Sequence, residues 1–222
     1  MGASGGFPID LVLFGMIAAF LVLRLRSILG RRTGFERPPQ PQQAPVTGPT
    51  GPVIEGKAEP VARTADVVVP DPASPVGQTL ARMREIDHNF QPAAFLAGAE
   101  KAFRMIVGAF ASGDRALLRS LLSDDTYHAF DQAIAARESA GQVQVSDIRA
   151  VNAVTLEGAE LRGSVGSLTV KFVSDQVSLI RDRDGREVSG TDAVMEINDI
   201  WTFERDLSSG DPTWRLVAAQ SA

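Results

Sequence analysis

Proline placement divides this chain before any other feature is weighed. Ten of the thirteen prolines fall between Pro38 and Gly77, and each one removes a backbone donor and fixes φ. A stretch this rich in proline, with few large apolar side chains, buries too little to offset the entropy of ordering it. Residues 38–77 are therefore expected to form a disordered or polyproline-like linker. As a coil, about 40 residues span roughly 35 Å, and full polyproline extension reaches about 120 Å. Val67, Val68 and Val69 make a short apolar patch inside it, read here as part of a solvated linker rather than as a docking element. The break leaves an amino-terminal segment, residues 1–37, and a domain, residues 78–222, long enough for one sizeable core.

The amino-terminal segment is greasy and then basic. Its uncharged run, Leu11 to Leu23, has 13 residues, whereas a bilayer core of about 30 Å calls for about 20 helical residues. A spanning helix recruits Phe7, Pro8 and Ile9 on one side and the snorkelling stems of Arg24 and Arg26 on the other. A cleaved signal peptide fits less well, because the basic residues follow the apolar run and no small-x-small site comes after it. Arg24, Arg26, Arg31 and Arg32 place the carboxy-terminal side in the cytoplasm by the positive-inside rule. The expectation is a single-pass anchor, with a helix lying in the membrane interface as the competing reading. Five arginines against two acids give residues 1–37 a net charge of +3, which leaves −8 of the total −5 for the remainder. That acidic balance excludes a nucleic-acid partner, since phosphate binding needs a clustered basic surface. The absence of cysteine excludes disulfides, thiolate metal sites and a cysteine nucleophile.

The domain reads as helices followed by strands. TLARMREIDHNF forms a short amphipathic pattern, and after Pro92 the residues Phe95, Ala99, Ala102, Phe103, Ile106 and Phe110 recur at three-and-four spacing on one helix face. Gly113 is a natural stop, Asp114 a natural cap for RALLRSLL, and Ser123 a cap for the helix that carries Tyr127, Phe130 and Ile134. From Val143 onward four segments favour strands, with turns at Arg183–Gly185 and at SSGDP. Leu168, Val170 and Phe172 share one strand face, but the apolar parity moves to Val177 and Leu179 after Ser174, which predicts a bulge. The expected class is α+β: helices packed on a curved antiparallel sheet of about four strands, with an apolar cavity between them.

Several blocks in order carry a family likeness: RLRSILGRRTGFERPP after the short apolar run, then FLAGAEKAFRMIVGAFASGDRALLRSLLSDDTYHAFDQAIAARE, then NDIWTFERD and DPTWRLVA. Together they resemble the membrane-anchored Tim44-like proteins of alphaproteobacteria. The resemblance implies an NTF2-like or cystatin-like fold with a hydrophobic pocket, attachment to the bacterial inner membrane, and a non-enzymatic adaptor role that binds membrane lipid or a protein partner. It also suggests a link to protein translocation or membrane-protein assembly. The long charged segment with which mitochondrial relatives engage a chaperone and a channel is missing here, so an import-motor role does not carry over.

Little in the domain points to chemistry. His88 and His128 lie 40 residues apart on different predicted helices and read as surface residues, and neither metal-ligand spacing nor a phosphate loop, HExxH pair or GxSxG elbow occurs. No metal and no cofactor are expected. On the third strand Met195, Ile197, Trp201 and Phe203 alternate onto one face, and Asp199 falls there with them. A carboxylate among apolar neighbours is costly unless paired, so Asp199 is read as satisfied by an arginine or by backbone donors across the sheet. The competing reading makes it the general base of a small NTF2-like enzyme acting on a hydrophobic substrate. The candidate apolar pocket comprises Phe95, Phe103, Ile106 and Phe110 from the helix with Met195, Ile197, Trp201 and Phe203 from the strand.

Overall fold

The structure is a computed structural model that describes residues 65–221. The expected anchor and most of the expected linker lie outside the described residues. Among the described residues, no helix is long and apolar enough to cross a membrane.

Elements run in the order β1 (Asp66–Val68), α1 (Pro75–Ile86), α2 (Pro92–Ser112), α3 (Arg115–Leu121), α4 (Asp124–Ser139), β2 (Val143–Arg162), β3 (Val165–Arg181), β4 (Glu187–Asp206) and β5 (Arg215–Ser221). The punctuation read in the sequence sets the helix ends. Asp114 accepts a hydrogen bond from Leu117 N at 3.0 Å, Ser123 caps α4 with Asp124 and Asp125 in its first turn, and Gly113 ends α2 at φ +75°.

The five strands form one sheet in the order β1-β2-β3-β4-β5. This corrects the expectation of about four antiparallel strands, because β1 joins the sheet parallel to β2, with Val67 opposite Val154. It also places ordered structure inside the stretch read as linker: Val67 and Val68 are β-branched and free of neighbouring proline, so they pair with the open edge of β2. Similarly, α1 begins at Pro75 rather than beyond Gly77. Pro75 occupies the first helical turn, where its missing N–H has no partner to lose, and Ser74 Oγ accepts from Gly77 N at 3.0 Å.

The parity change after Ser174 is a register shift between Gln176 and Ser178 against β4. Gly190 completes it at φ +87°, where a Cβ would come within 2.2 Å of the Ser178 carbonyl oxygen. The core fills the space between the helices and the sheet. Phe103 of α2 stacks on Phe172 of β3 at 4.5 Å between ring centroids and meets the edge of Trp201 at 4.8 Å. Arg137 of α4 fastens the far end of α2 by donating to the carbonyls of Phe110 at 2.8 Å and Ala111 at 3.2 Å.

Candidate functional site

From its N-cap onward α2 lines one side of an open groove of about 380 Å³, through Gln91, Ala94, Gly98, Ala102 and Met105. Their spacing keeps them on a single helix face, and Gln91 to Met105 spans about 21 Å at 1.5 Å per residue. The floor is made of small groups. A Cβ at Gly98 would meet nothing within 4 Å. The opposite wall comes from β4 and the segment that leads into β5, through Phe203, Arg205, Pro212 and Trp214, with Leu121 beside them. Phe95 closes the base: its ring meets Trp214 at 4.8 Å and the edge of Phe203 at 6.0 Å.

The polar end of the groove is built around one ion pair. Arg205 on β4 donates to the carboxylate of Asp87 at the end of α1, with side chains 11% and 17% exposed. The Arg205 guanidinium lies 5.2 Å from the centre of the Trp214 ring and donates to the Pro212 carbonyl at 3.5 Å. Arg205 Nε is buried without a hydrogen-bond partner among the described residues. The hydrogen bond from Arg205, with help from Asn89 N at 2.9 Å, holds the Asp87 carboxyl below its usual range. Asp87 therefore stays ionised near neutrality and cancels the charge of Arg205.

Of the eight residues expected to form one apolar pocket, Phe95, Phe103, Ile106, Trp201 and Phe203 share one core cluster with Phe110 packed against it, but they do not line a single open pocket. Phe95 and Phe203 line the groove. Phe103, Ile106 and Trp201 are buried in the core. Phe110 is half-buried against Phe130 at 5.0 Å, Ile197 is half-buried, and Met195 is 43% exposed. Strand alternation gives the face of a side chain but not how far the helices reach along a 20-residue strand, and Met195 adjoins the β3–β4 register shift. Conversely, Arg205 and Trp214 line the groove without belonging to the candidate set, Trp214 being read from the sequence as core. Arg205 continues the Trp201, Phe203 alternation, which is the sequence signal that puts it on the same strand face.

Asp199 is buried, as its position on the apolar face requires. Its oxygens accept from Ser221 Oγ at 2.8 Å and from Gln176 Nε2 at 3.1 Å, and the same Gln176 nitrogen lies 2.8 Å from Ser174 Oγ. Gln176 and Ser221 are thus among the partners that satisfy this buried carboxylate. Asp199 is not among the residues that line the groove. His88 is exposed, with Nδ1 3.0 Å from the Arg84 carbonyl oxygen, and His128 is exposed beside Tyr127. Among the described residues no group of three or more metal-ligating side chains assembles.

Comparison with solved structures finds partial likeness to the intermembrane-space region of the chloroplast protein ARC6, at 9% identity over 56% of this chain and 94% of that one, with a TM-score of 0.42. A putative dehydratase of the NTF2-like family from Streptomyces avermitilis matches at 12% identity over 59% and 97%, TM-score 0.36. The beta subunit of a putative aromatic-ring-hydroxylating dioxygenase from Novosphingobium aromaticivorans matches at 13% identity over 58% and 88%, TM-score 0.35. Comparison with curated protein sequences finds no match. The family profile of the Tim44-like domain matches residues 76–221, from the start of α1 through β5, and so the chain belongs to the Tim44-like family.

Proposed function

We propose that the protein is a non-enzymatic, membrane-tethered adaptor whose Tim44-like domain holds an apolar ligand, a segment of a protein partner or a membrane lipid, in the groove along α2. The carrying observation is the groove itself: about 380 Å³, with walls mainly of apolar side chains and a charge-neutral ion pair at one end. Such a surface recognises apolar area and positions few polar groups. Membership of the Tim44-like family supports an adaptor role, and the apolar run from Leu11 to Leu23 with its flanking arginines supports the tether.

The reading of Asp199 as a general base gains no support from the groove, because the carboxylate lies off it and is engaged by Gln176 and Ser221. A base must reach its substrate's proton within hydrogen-bond distance.

Two glycine substitutions on α2 test the proposal in the full-length protein. Gly98 lines the groove and Gly108 does not, and a Cβ at either meets nothing within 4 Å. Gly98→Leu fills the groove without disturbing the core, whereas Gly108→Leu adds the same side chain elsewhere on α2. Crosslinking in native membranes should yield adducts for the wild type and Gly108→Leu, and lose them for Gly98→Leu. Equal yields from all three would place the binding surface elsewhere.

A further inference from the structure

We infer that residues 28–37 of this chain dock on a valine patch at the β3–β4 hairpin end of the sheet, on the face turned away from the helices. The inference uses none of the residues that line the groove, and it holds whether the amino-terminal segment spans the bilayer or lies in its interface.

Strand alternation separates the two faces of the sheet. Gln144 accepts from Arg137 of α4, so it faces the helices, and Val143 and Val145 on either side of it point the other way. Val145 pairs with Leu179, and Leu179 with Gly190, which carries this outer face across three strands. By the same alternation Val177, Val188 and Val194 lie on it. All four helices pack into one core with Leu168, Val170 and Phe172 on the opposite face, so among the described residues no helix covers the outer one. Yet Val177 and Leu179 are 8% and 2% exposed and stand outside that core, while Val143, Val145, Val188 and Val194 are 38–60% exposed around them. A clustered apolar patch left open to water marks an interaction surface.

The charges around the patch decide what fits it. Arg149 pairs with Asp147 at 3.2 Å and Arg181 with Glu187 at 3.9 Å, so these four cancel. Asp192 and Glu196 are exposed and have no ion-pair partner among the described residues. Asp175, the register partner of Glu196, has only a hydrogen bond from Asn152 Nδ2 at 3.2 Å. Lys171, on the same face, is four residues from Asp175, about 13 Å and so beyond a Debye length; Arg183 lies against Gly141, past the strand ends. Three carboxylates are thus left without cations. A second copy docked face to face would crowd like charges together. An occupant that is both apolar and basic complements the patch.

This chain carries such a segment on a linker of matching length. Residues 28–37, ILGRRTGFER, hold Ile28, Leu29 and Phe35 with Arg31, Arg32 and Arg37 against Glu36 alone. β1 runs parallel to β2 with Asp66 opposite Ala153, so the chain reaches β1 from the side of Val143, which is the side of the patch. Ala153 to Val145 is eight residues along β2, about 26 Å. As a coil, residues 38–65 have an r.m.s. span of about 29 Å. A linker whose r.m.s. length matches the distance gives the tethered segment its highest effective concentration. Docking draws the hairpin end of the sheet toward the amino-terminal anchor and leaves Arg24 and Arg26 at the end of the apolar run.

The test uses the full chain, reconstituted at one copy per phosphatidylcholine nanodisc. The chain has no cysteine, so paired substitutions report proximity cleanly. Under gentle oxidation, Thr33→Cys should form an intramolecular disulfide with Val194→Cys about fivefold more than with Gly210→Cys, which lies between β4 and β5 at the far end of β4. Adding Asp192→Lys and Glu196→Lys should cut the first yield about fivefold, and Arg31→Glu with Arg32→Glu in the same chain should restore it. Restoration by the second charge reversal separates ion pairing from misfolding. Equal yields at Val194→Cys and Gly210→Cys, or a yield indifferent to charge reversal, would overturn the docking. In discs that hold two copies, disulfides between the two Val194→Cys positions in place of the intramolecular bond would overturn it in favour of self-association. None of these outcomes touches the groove, so the adaptor reading stands or falls separately with Gly98→Leu.

Discussion

Breaking the ion pair between Asp87 and Arg205 should cost far more than a surface salt bridge, whichever partner is removed. The two side chains are only 11% and 17% exposed, so deleting one leaves the other largely buried and uncompensated, a situation that costs about 3–5 kcal/mol when burial is complete. Residual exposure, and the contacts of Arg205 with Pro212 and Trp214, place Asp87→Ala at the lower end, about 3 kcal/mol. Arg205→Met retains apolar bulk beside Trp214 but strands the carboxylate, for a similar loss. The double variant should recover about 2 kcal/mol relative to the sum of the singles, since neither charge then remains buried alone. Urea unfolding followed by tryptophan fluorescence reads this directly, because Trp214 lies against the pair; at about 2 kcal/mol per molar, 3 kcal/mol moves the midpoint by about 1.5 M. The pH dependence has a definite sign. The folded-state pKa of Asp87 lies below its ordinary value of 3.8, so the stabilisation is complete above that value and is lost as pH falls through the lower folded-state pKa. The gap between wild type and Asp87→Asn should hold from pH 7 to pH 5 and shrink below pH 4. Additive single variants, or a gap unchanged at pH 3, would refute the buried-pair argument.

Gly108→Ala should stabilise the domain by about 1 kcal/mol, as helix propensity rises at an open position, and a raised thermal midpoint would show it. Gly190→Ala should destabilise it by more than about 1 kcal/mol, because φ is +87° and the added Cβ would strike the Ser178 carbonyl; an unshifted melting temperature would refute this. In intact cells, a cysteine replacing Ser4 should react with a membrane-impermeant thiol reagent while one replacing Gly210 stays protected; the opposite pattern would invert the topology.

Local chemistry was legible in the sequence where a residue's role depends on its immediate neighbours. Gly113, Asp114 and Ser123 end or begin helices as read, and the parity change after Ser174 marks a register shift. Features that depend on distant partners were less legible. The role of Val67 and Val68 depends on an edge of β2 more than 80 residues away, so composition classed them with the prolines around them. Ser74 and Pro75 carried a helix-start signal that the same proline count concealed. The candidate pocket mixed core with groove because periodicity identifies buried faces, while a groove forms where burial stops short. Asp87 and Arg205 are 118 residues apart, and no spacing rule joins them.

The edge strand β1 and the groove draw on different strands of the sheet. β1, which lies within the proline-rich stretch, pairs with β2 at one edge, while the groove's wall comes from β4 and the approach to β5 toward the other. Four strand spacings of about 4.8 Å put these edges roughly 19 Å apart. An occupant of the groove along α2 therefore does not compete with β1 for backbone partners. The three-residue β1, with its valines 42–49% exposed through Val69, contributes little apolar burial and acts through backbone pairing. Groove and β1 therefore draw on different contacts, so filling the groove leaves the pairing of β1 with β2 in place.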